Sequence, residues 1–110
     1  MHPTVTSEGD LSVVALRGDI DLELSSEVRR AMLDALGKSR AVIVDLTQVS
    51  MIDSSGVASL LEAFQSARKK GKKLILAGPG DGVRRVLKLA RLDTVFEIAA
   101  DVAAAKATLA

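Results

Sequence analysis

A chain of 110 residues, with a formal net charge of +1 and a hydrophobic share of 48%, fits one folded domain with its own core and argues against intrinsic disorder. The near-neutral charge supplies no field for nucleic acid or a membrane surface. With two Phe and no Trp or Tyr, stacking platforms for single strands are nearly absent. The lack of cysteine excludes disulfides, thiolate metal sites and cysteine nucleophiles.

The only histidine, His2, stands beside Pro3 near the N-terminus, a position that reads as a solvated residue rather than a ligand or base. No signal peptide is evident there. No apolar run reaches the about eighteen residues that a membrane span needs. The expectation is a soluble, cytoplasmic domain that does not insert into membranes.

Residues 4 to 8 are polar with some β-branching and read as a short edge strand. Gly9-Asp10 is a turn dipeptide, and the run from Leu11 to Gly18 reads as a second strand, so an N-terminal hairpin is predicted. Gly18-Asp19-Ile20-Asp21 then reads as a strand break leading into a helix over about 24 to 37. Leu24, Val28, Ala31, Met32, Ala35 and Leu36 form its apolar stripe, with Ser25 or Ser26 as cap and Gly37 as stop.

Ala41-Val42-Ile43-Val44-Asp45-Leu46 is β-branched and apolar and reads as a buried strand over 40 to 46. A polar break and then Asp53-Ser54-Ser55-Gly56 precede a helix expected from about Ser55 to Lys70, with Val57, Leu60, Leu61, Phe64 and Ala67 at helical spacing. Asp and Ser are the residue types whose side-chain oxygens accept from orphaned amides at helix starts. By itself an Asp-Ser there is only a cap. The basic run from Arg68 to Lys73 around Gly71 reads as cations complementing a helix C-terminus, in preference to a binding patch.

Leu74 to Ala77 is a further buried strand. Gly78-Pro79-Gly80-Asp81-Gly82 has neither the Lys-Ser/Thr ending of a nucleotide P-loop nor a dinucleotide fingerprint, so a plain turn is expected. A helix over about 81 to 91, a last strand at 95 to 98 and an alanine-rich helix from Asp101 to Leu109 complete the chain. The whole reads as a single α/β domain with a mixed, mostly parallel sheet of four to five strands and about four helices.

Little here supports catalysis. Ser54 and Ser55 have no usable histidine, and the Gly-x-Ser-x-Gly elbow is missing. Asp21, Asp45 and Asp53 can in principle gather at one end of the sheet as a hard-cation site; the alternative is that they are caps and turn formers. No cofactor and no metal are expected.

Residues 44 to 61, Val-Asp-Leu-Thr-Gln-Val-Ser-Met-Ile-Asp-Ser-Ser-Gly-Val-Ala-Ser-Leu-Leu, resemble the signature of the STAS domain, and more narrowly the bacterial anti-sigma factor antagonists. Gly18-Asp19-Ile20-Asp21 matches the family's Gly-acid-aliphatic-Asp segment, and the element order agrees over the whole chain, residues 1 to 110. The resemblance implies a STAS-type fold and a non-enzymatic binding switch. The unmodified protein would dock on an anti-sigma factor that is also a serine-protein kinase and so release a sigma factor. Phosphorylation would dissociate the complex, and a metal-dependent serine phosphatase would restore it.

Carried over, the phosphoacceptor is Ser54, flanked by Asp53 and Asp21. Ser55 is the competing acceptor, with a bonding role in the first helical turn as its other reading. Gly56 either admits a partner backbone or relieves crowding. Ser59 and Glu62 are expected as exposed docking residues on the helix that follows. The alternative assignment is a STAS accessory subunit of a lipid-transporting ABC system, bound constitutively to an ATPase.

Overall fold

The computed structural model describes residues 3–110; the expectation for His2 lies outside them. A five-stranded sheet follows chain order: β1 (Thr4–Glu8), β2 (Leu11–Ile20), β3 (Ala41–Ile52), β4 (Lys73–Ala77) and β5 (Glu97–Ala99). The predicted hairpin pairs β1 antiparallel to β2, and all later pairings are parallel. Between them run α1 (Leu22–Lys38), α2 (Ser54–Lys69) and α3 (Asp81–Leu89), and α4 (Val102–Leu109) closes the chain.

Parallel neighbours joined by right-handed crossovers place their helices on one face of the sheet. There Val28 and Met32 of α1, Leu60 of α2 and Leu87 of α3 pack on Val14, Val42, Val44, Leu74 and Leu76. The opposite face carries Ile43, Ile75 and Ala77, covered by α4 through Ala105, Val102 and Leu109. With few aromatic residues, the one ring pair is an edge-on contact of Phe64 and Phe96, centroids 5.2 Å apart.

The boundaries of β2, β3 and α1 differ from the sequence reading, as does the last strand, which runs over Glu97–Ala99 instead of 95 to 98. Gly18-Asp19-Ile20 does not end the strand: β2 runs on to Ile20, and β3 on to Ile52. Where β2 advances from Ala15 to Arg17 and from Gly18 to Asp19, β3 advances one residue further each time. These bulges absorb the polar residues that looked like breaks, and Gly18 takes a φ of 75° beside one of them. Helix α1 is capped by Asp21, not Ser25 or Ser26, since Asp21 Oδ1 accepts from the Leu24 amide at 3.1 Å. Ser25 is buried and donates to the Leu22 carbonyl at 3.0 Å. Gly37 lies inside α1, which ends at Lys38 with Ser39 as its cap.

The end of α2 shows why the basic run is where it is. The Lys72 amide reaches the Ala67 carbonyl at 2.8 Å and the Gly71 amide the Arg68 carbonyl at 3.1 Å. With Gly71 at φ 68°, this is a Schellman stop. The Lys72 ammonium donates to the carbonyl of Leu36, in the last turn of α1, so it serves the C-terminal dipole of a neighbouring helix.

Candidate functional site

The extended β2 and β3 end in register at Ile20 and Ile52, so the residues that follow, Asp21 and Asp53, start two helices side by side. The Asp53 amide donates to the Ile20 carbonyl at 3.1 Å, tying the two starts together. Asp53 caps α2: its Oδ1 accepts from the amides of Ser55 at 2.9 Å and Gly56 at 3.1 Å, and from the Ser55 hydroxyl. These bonds favour the ionised form. The Ser55 hydroxyl foremost, then the Gly56 amide, with the amides of Ser55 and Leu22 adding, hold the carboxyl below the usual range for an aspartate against a smaller opposing effect of burial.

Ser54 is the first residue of α2 and is exposed. Its hydroxyl has no hydrogen-bond partner among the described residues, whereas the Ser55 hydroxyl is spent on Asp53. The two serines are thus chemically unlike: one is presented to solvent beside a helix start, the other is part of the cap.

The remaining candidates divide. Glu62 is exposed and pairs with Arg29 of α1 at 3.1 Å. Ser59, expected as an exposed docking residue, is instead buried at 6% exposure. Its hydroxyl donates to the carbonyls of Ser25 and Ser55, both at 3.1 Å, because α1 and α2 pack closely there. Gly56 is also buried. A β-carbon on it would stand 2.6 Å from Ile52 Cγ1, 2.8 Å from Ile20 Cγ2 and 2.9 Å from the Ile20 carbonyl oxygen. Its smallness therefore serves the seating of α2 on the strand ends, not the approach of a partner backbone. Asp45 does not join Asp21 and Asp53; it accepts from the amide and hydroxyl of Thr47 at 3.0 and 2.7 Å. Among the described residues no cluster of acids or histidine suits a metal ion.

Two residues at this end of the sheet escaped the sequence reading. Leu22, which opens α1, is 75% exposed, and Met51, two residues before Asp53, is 62% exposed. In sequence neither is marked; only the strand and helix ends reveal that they face water. Leu22 and Met51 lie with Asp21, Asp53 and Ser54 at the end of the sheet where β2 and β3 stop, so that end presents both apolar and acidic side chains and one free hydroxyl. No helix is long and apolar enough to cross a membrane among the described residues.

Comparison with known proteins agrees with this architecture. The family model described as "STAS domain" matches residues 2–105. An anti-sigma-B factor antagonist of Listeria monocytogenes is 31% identical over 86 residues, 77% of this chain and 75% of that one. The intermembrane phospholipid transport system binding protein MlaB of Escherichia coli is 30% identical over 79 residues, 72% of this chain and 79% of that one. Among solved structures, the Bacillus cell fate determinant SpoIIAA in its phosphorylated form superposes with a TM-score of 0.77 at 21% identity, covering 98% of this chain and 99% of that one. A bulged β2–β3 pair that sets two capped helices side by side, with full-length agreement in fold, has one reading: the chain belongs to the STAS domain family.

Proposed function

We propose that this chain is an anti-sigma factor antagonist whose partner binding is switched by phosphorylation of Ser54. The unmodified form docks through Leu22, Met51 and the Asp21–Asp53 helix starts onto an anti-sigma factor that is also a serine kinase, freeing a sigma factor. Transfer of the γ-phosphoryl group of ATP to the Ser54 oxygen, with ADP leaving and the hydroxyl proton released, then ends the complex, and a serine phosphatase restores it by hydrolysing the phosphoester. The setting is a bacterial cytoplasm. The observation that carries this reading is the contrast between the free, exposed hydroxyl of Ser54 and the bonded hydroxyl of Ser55. The Listeria relative is named an anti-sigma-B factor antagonist, and the Bacillus neighbour takes a phosphorylated form; both support it.

The physics of the switch is local. A phosphate adds about −1.5 to −2 charges. On the first residue of α2 the helix dipole offsets part of that charge, so the fold persists. At an interface the same charge stands beside the Asp53 carboxylate and must shed its water. A loss of about 3 kcal/mol corresponds to roughly a hundredfold in affinity, enough to release a micromolar partner with no change of fold.

The test is incubation with the cognate kinase and ATP, followed by mapping of the modified peptide. One phosphate is expected, on Ser54; Ser54→Ala abolishes it and keeps partner binding, and Ser54→Asp weakens binding. A Ser54→Asp protein that binds its partner as tightly as wild type would overturn the charge mechanism.

The Escherichia coli relative, a binding protein of an intermembrane phospholipid transport system, supports a second reading as a transporter accessory subunit. Stable co-purification with an ATPase and a permease, unaffected by Ser54→Asp, would select that reading.

A further inference from the structure

We infer that the basic end of the domain, opposite Ser54, binds an acidic segment of a partner protein, with one aliphatic side chain of that segment seated between α2 and the starts of β4 and β5. The inference does not rest on the Ser54 switch. The net charge of +1 hides a separation along the strand direction. Asp21, Asp53, Asp81 and Asp101 follow the ends of β2, β3, β4 and β5, whereas the turns that lead into β3 and β4 are basic. Lys38, Arg40, Arg68, Lys69, Lys70 and Lys73 are all exposed there. The Lys73 amide donates to the Arg40 carbonyl at 3.2 Å, and Lys73 pairs with Ala41, so the two turns are neighbours.

Helix ends alone do not account for this charge. The C-termini of α1 and α2 together present about one negative charge, and Lys72 already donates to the Leu36 carbonyl. Among the described residues none of the six cations makes an ion pair. Asp10, whose carbonyl accepts from the Arg40 amide, and Glu97, at the start of β5, offset only part of the excess. The acidic helix starts are too far away to cancel it. About 21 Å of α2 separates Ser54 from Arg68, twice the screening length of about 10 Å at 0.1 M salt. This end therefore attracts anions although the chain as a whole is nearly neutral.

A hollow gives the field a shape. About 300 Å³ in volume, it lies among Phe64 and Arg68 of α2, Lys73 and Leu74 of β4, and Val95 and Glu97. Its floor is apolar: Leu74 is buried, Val95 is 41% exposed, and Phe64 is held edge-on by Phe96. Arg68 stands over the Phe64 ring, 6.0 Å from the centroid, so its guanidinium is already positioned at the rim. A second depression, against Gln65 and Lys69, meets the first at Arg68. One aliphatic side chain fills the hollow while carboxylates next to it in the segment reach Arg68, Lys69 and Lys73. Glu97 repels them from the β5 side, which fixes the direction of approach. Other polyanions fit less well. A bilayer is flat and leaves a recessed hollow empty. A nucleic-acid single strand stacks its bases on exposed rings, whereas Phe64 lies under Arg68 and Phe96 is buried.

The test titrates the full chain into a fluorescent peptide of alternating Glu and Asp with a single central Leu, read by anisotropy. A dissociation constant on the order of 100 μM is expected at low salt, as suits a small contact, weakening several-fold at about 0.3 M salt. Replacing the central Leu of the peptide by Ser should cost about tenfold, since that side chain then gains nothing from the hollow. Arg68→Glu and Lys73→Glu should each cost about tenfold or more; as they lie in different elements, one guards against the other folding poorly. Arg17→Glu makes the same change in net charge on an exposed residue of β2, two strands from β4, and should bind as wild type does. So should Ser54→Asp. No binding up to about 1 mM, equal binding of the Leu and Ser peptides, or an equal loss in Arg17→Glu would overturn the proposal. It would also fall if phosphatidylserine vesicles or an oligo-dT strand bound more tightly than the peptide and lost that binding in Arg68→Glu, because the basic end would then serve a lipid or a nucleic acid.

Discussion

Ile20 and Gly56 lie too close for any side chain at position 56: a β-carbon on Gly56 would stand 2.9 Å from the Ile20 carbonyl oxygen. That carbonyl already accepts from the Asp53 amide at 3.1 Å, so it is held in place. The start of α2 is thus pressed onto the end of β2, and this contact sets where Ser54 emerges.

Gly56→Ala should accordingly destabilise the fold, although alanine is the better helix former. The added methyl meets the Ile52 and Ile20 side chains, which can shift, and a backbone oxygen, which cannot shift cheaply. Overpacking of this kind costs about 1–3 kcal/mol, a sizeable share of a small domain's stability. Urea denaturation measures it directly. A variant as stable as wild type would mean that α2 can slide away from the strand ends at little cost.

Acid should weaken the cap through Asp53. Its folded-state pKa is depressed by the Ser55 hydroxyl and the Gly56 amide, so its contribution is complete above the unfolded value, about 3.9. The contribution fades as pH falls through the lower folded value. Asp53→Asn, which has no carboxylate to protonate, should be less stable than wild type at pH 7. The gap between the two should narrow as pH drops below about 4. Denaturation midpoints of both proteins from pH 7 to pH 2 give the answer, and a gap that stays constant would rule out this linkage.

The sequence carried the element order and the hairpin because apolar alternation, helical spacing and glycine stops are local signals. It also carried the divergence of Ser54 and Ser55, since a cap places its neighbours. What it hid was tertiary. The bulges that extend β2 to Ile20 and β3 to Ile52 look like breaks, because a bulge tolerates the same Gly, Asp and Ser that end a strand. Ser59 reads as surface by its chemistry, yet α1 crosses over it and supplies the Ser25 carbonyl as its partner. Leu22 and Met51 went unassigned because an apolar residue at an element's end carries no mark of which way it faces.

Ser59→Ala should therefore act on stability and not on binding. It removes a buried hydroxyl that donates to the Ser25 and Ser55 carbonyls, a loss of about 0.5–1.5 kcal/mol. Partner affinity, measured by calorimetry at a temperature where both proteins are fully folded, should match wild type. A binding defect without a stability defect would return Ser59 to the docking surface.

Leu22→Ala and Met51→Ala should do the opposite. Both side chains are mostly exposed in the free chain, so truncating them should change folding stability by less than about 0.5 kcal/mol. At the proposed interface each is an apolar group that gains by leaving water when the partner docks, so each truncation should cost about 1–2 kcal/mol of binding, roughly tenfold in affinity. Because neither residue carries charge, the loss should be nearly independent of salt, whereas the penalty from Ser54→Asp should shrink as salt screens it. Titration of the anti-sigma partner at low and high ionic strength separates the two effects. If Leu22→Ala/Met51→Ala binds as tightly as wild type, docking does not use this end of the sheet, and the role of Ser54 as a switch at an interface falls with it.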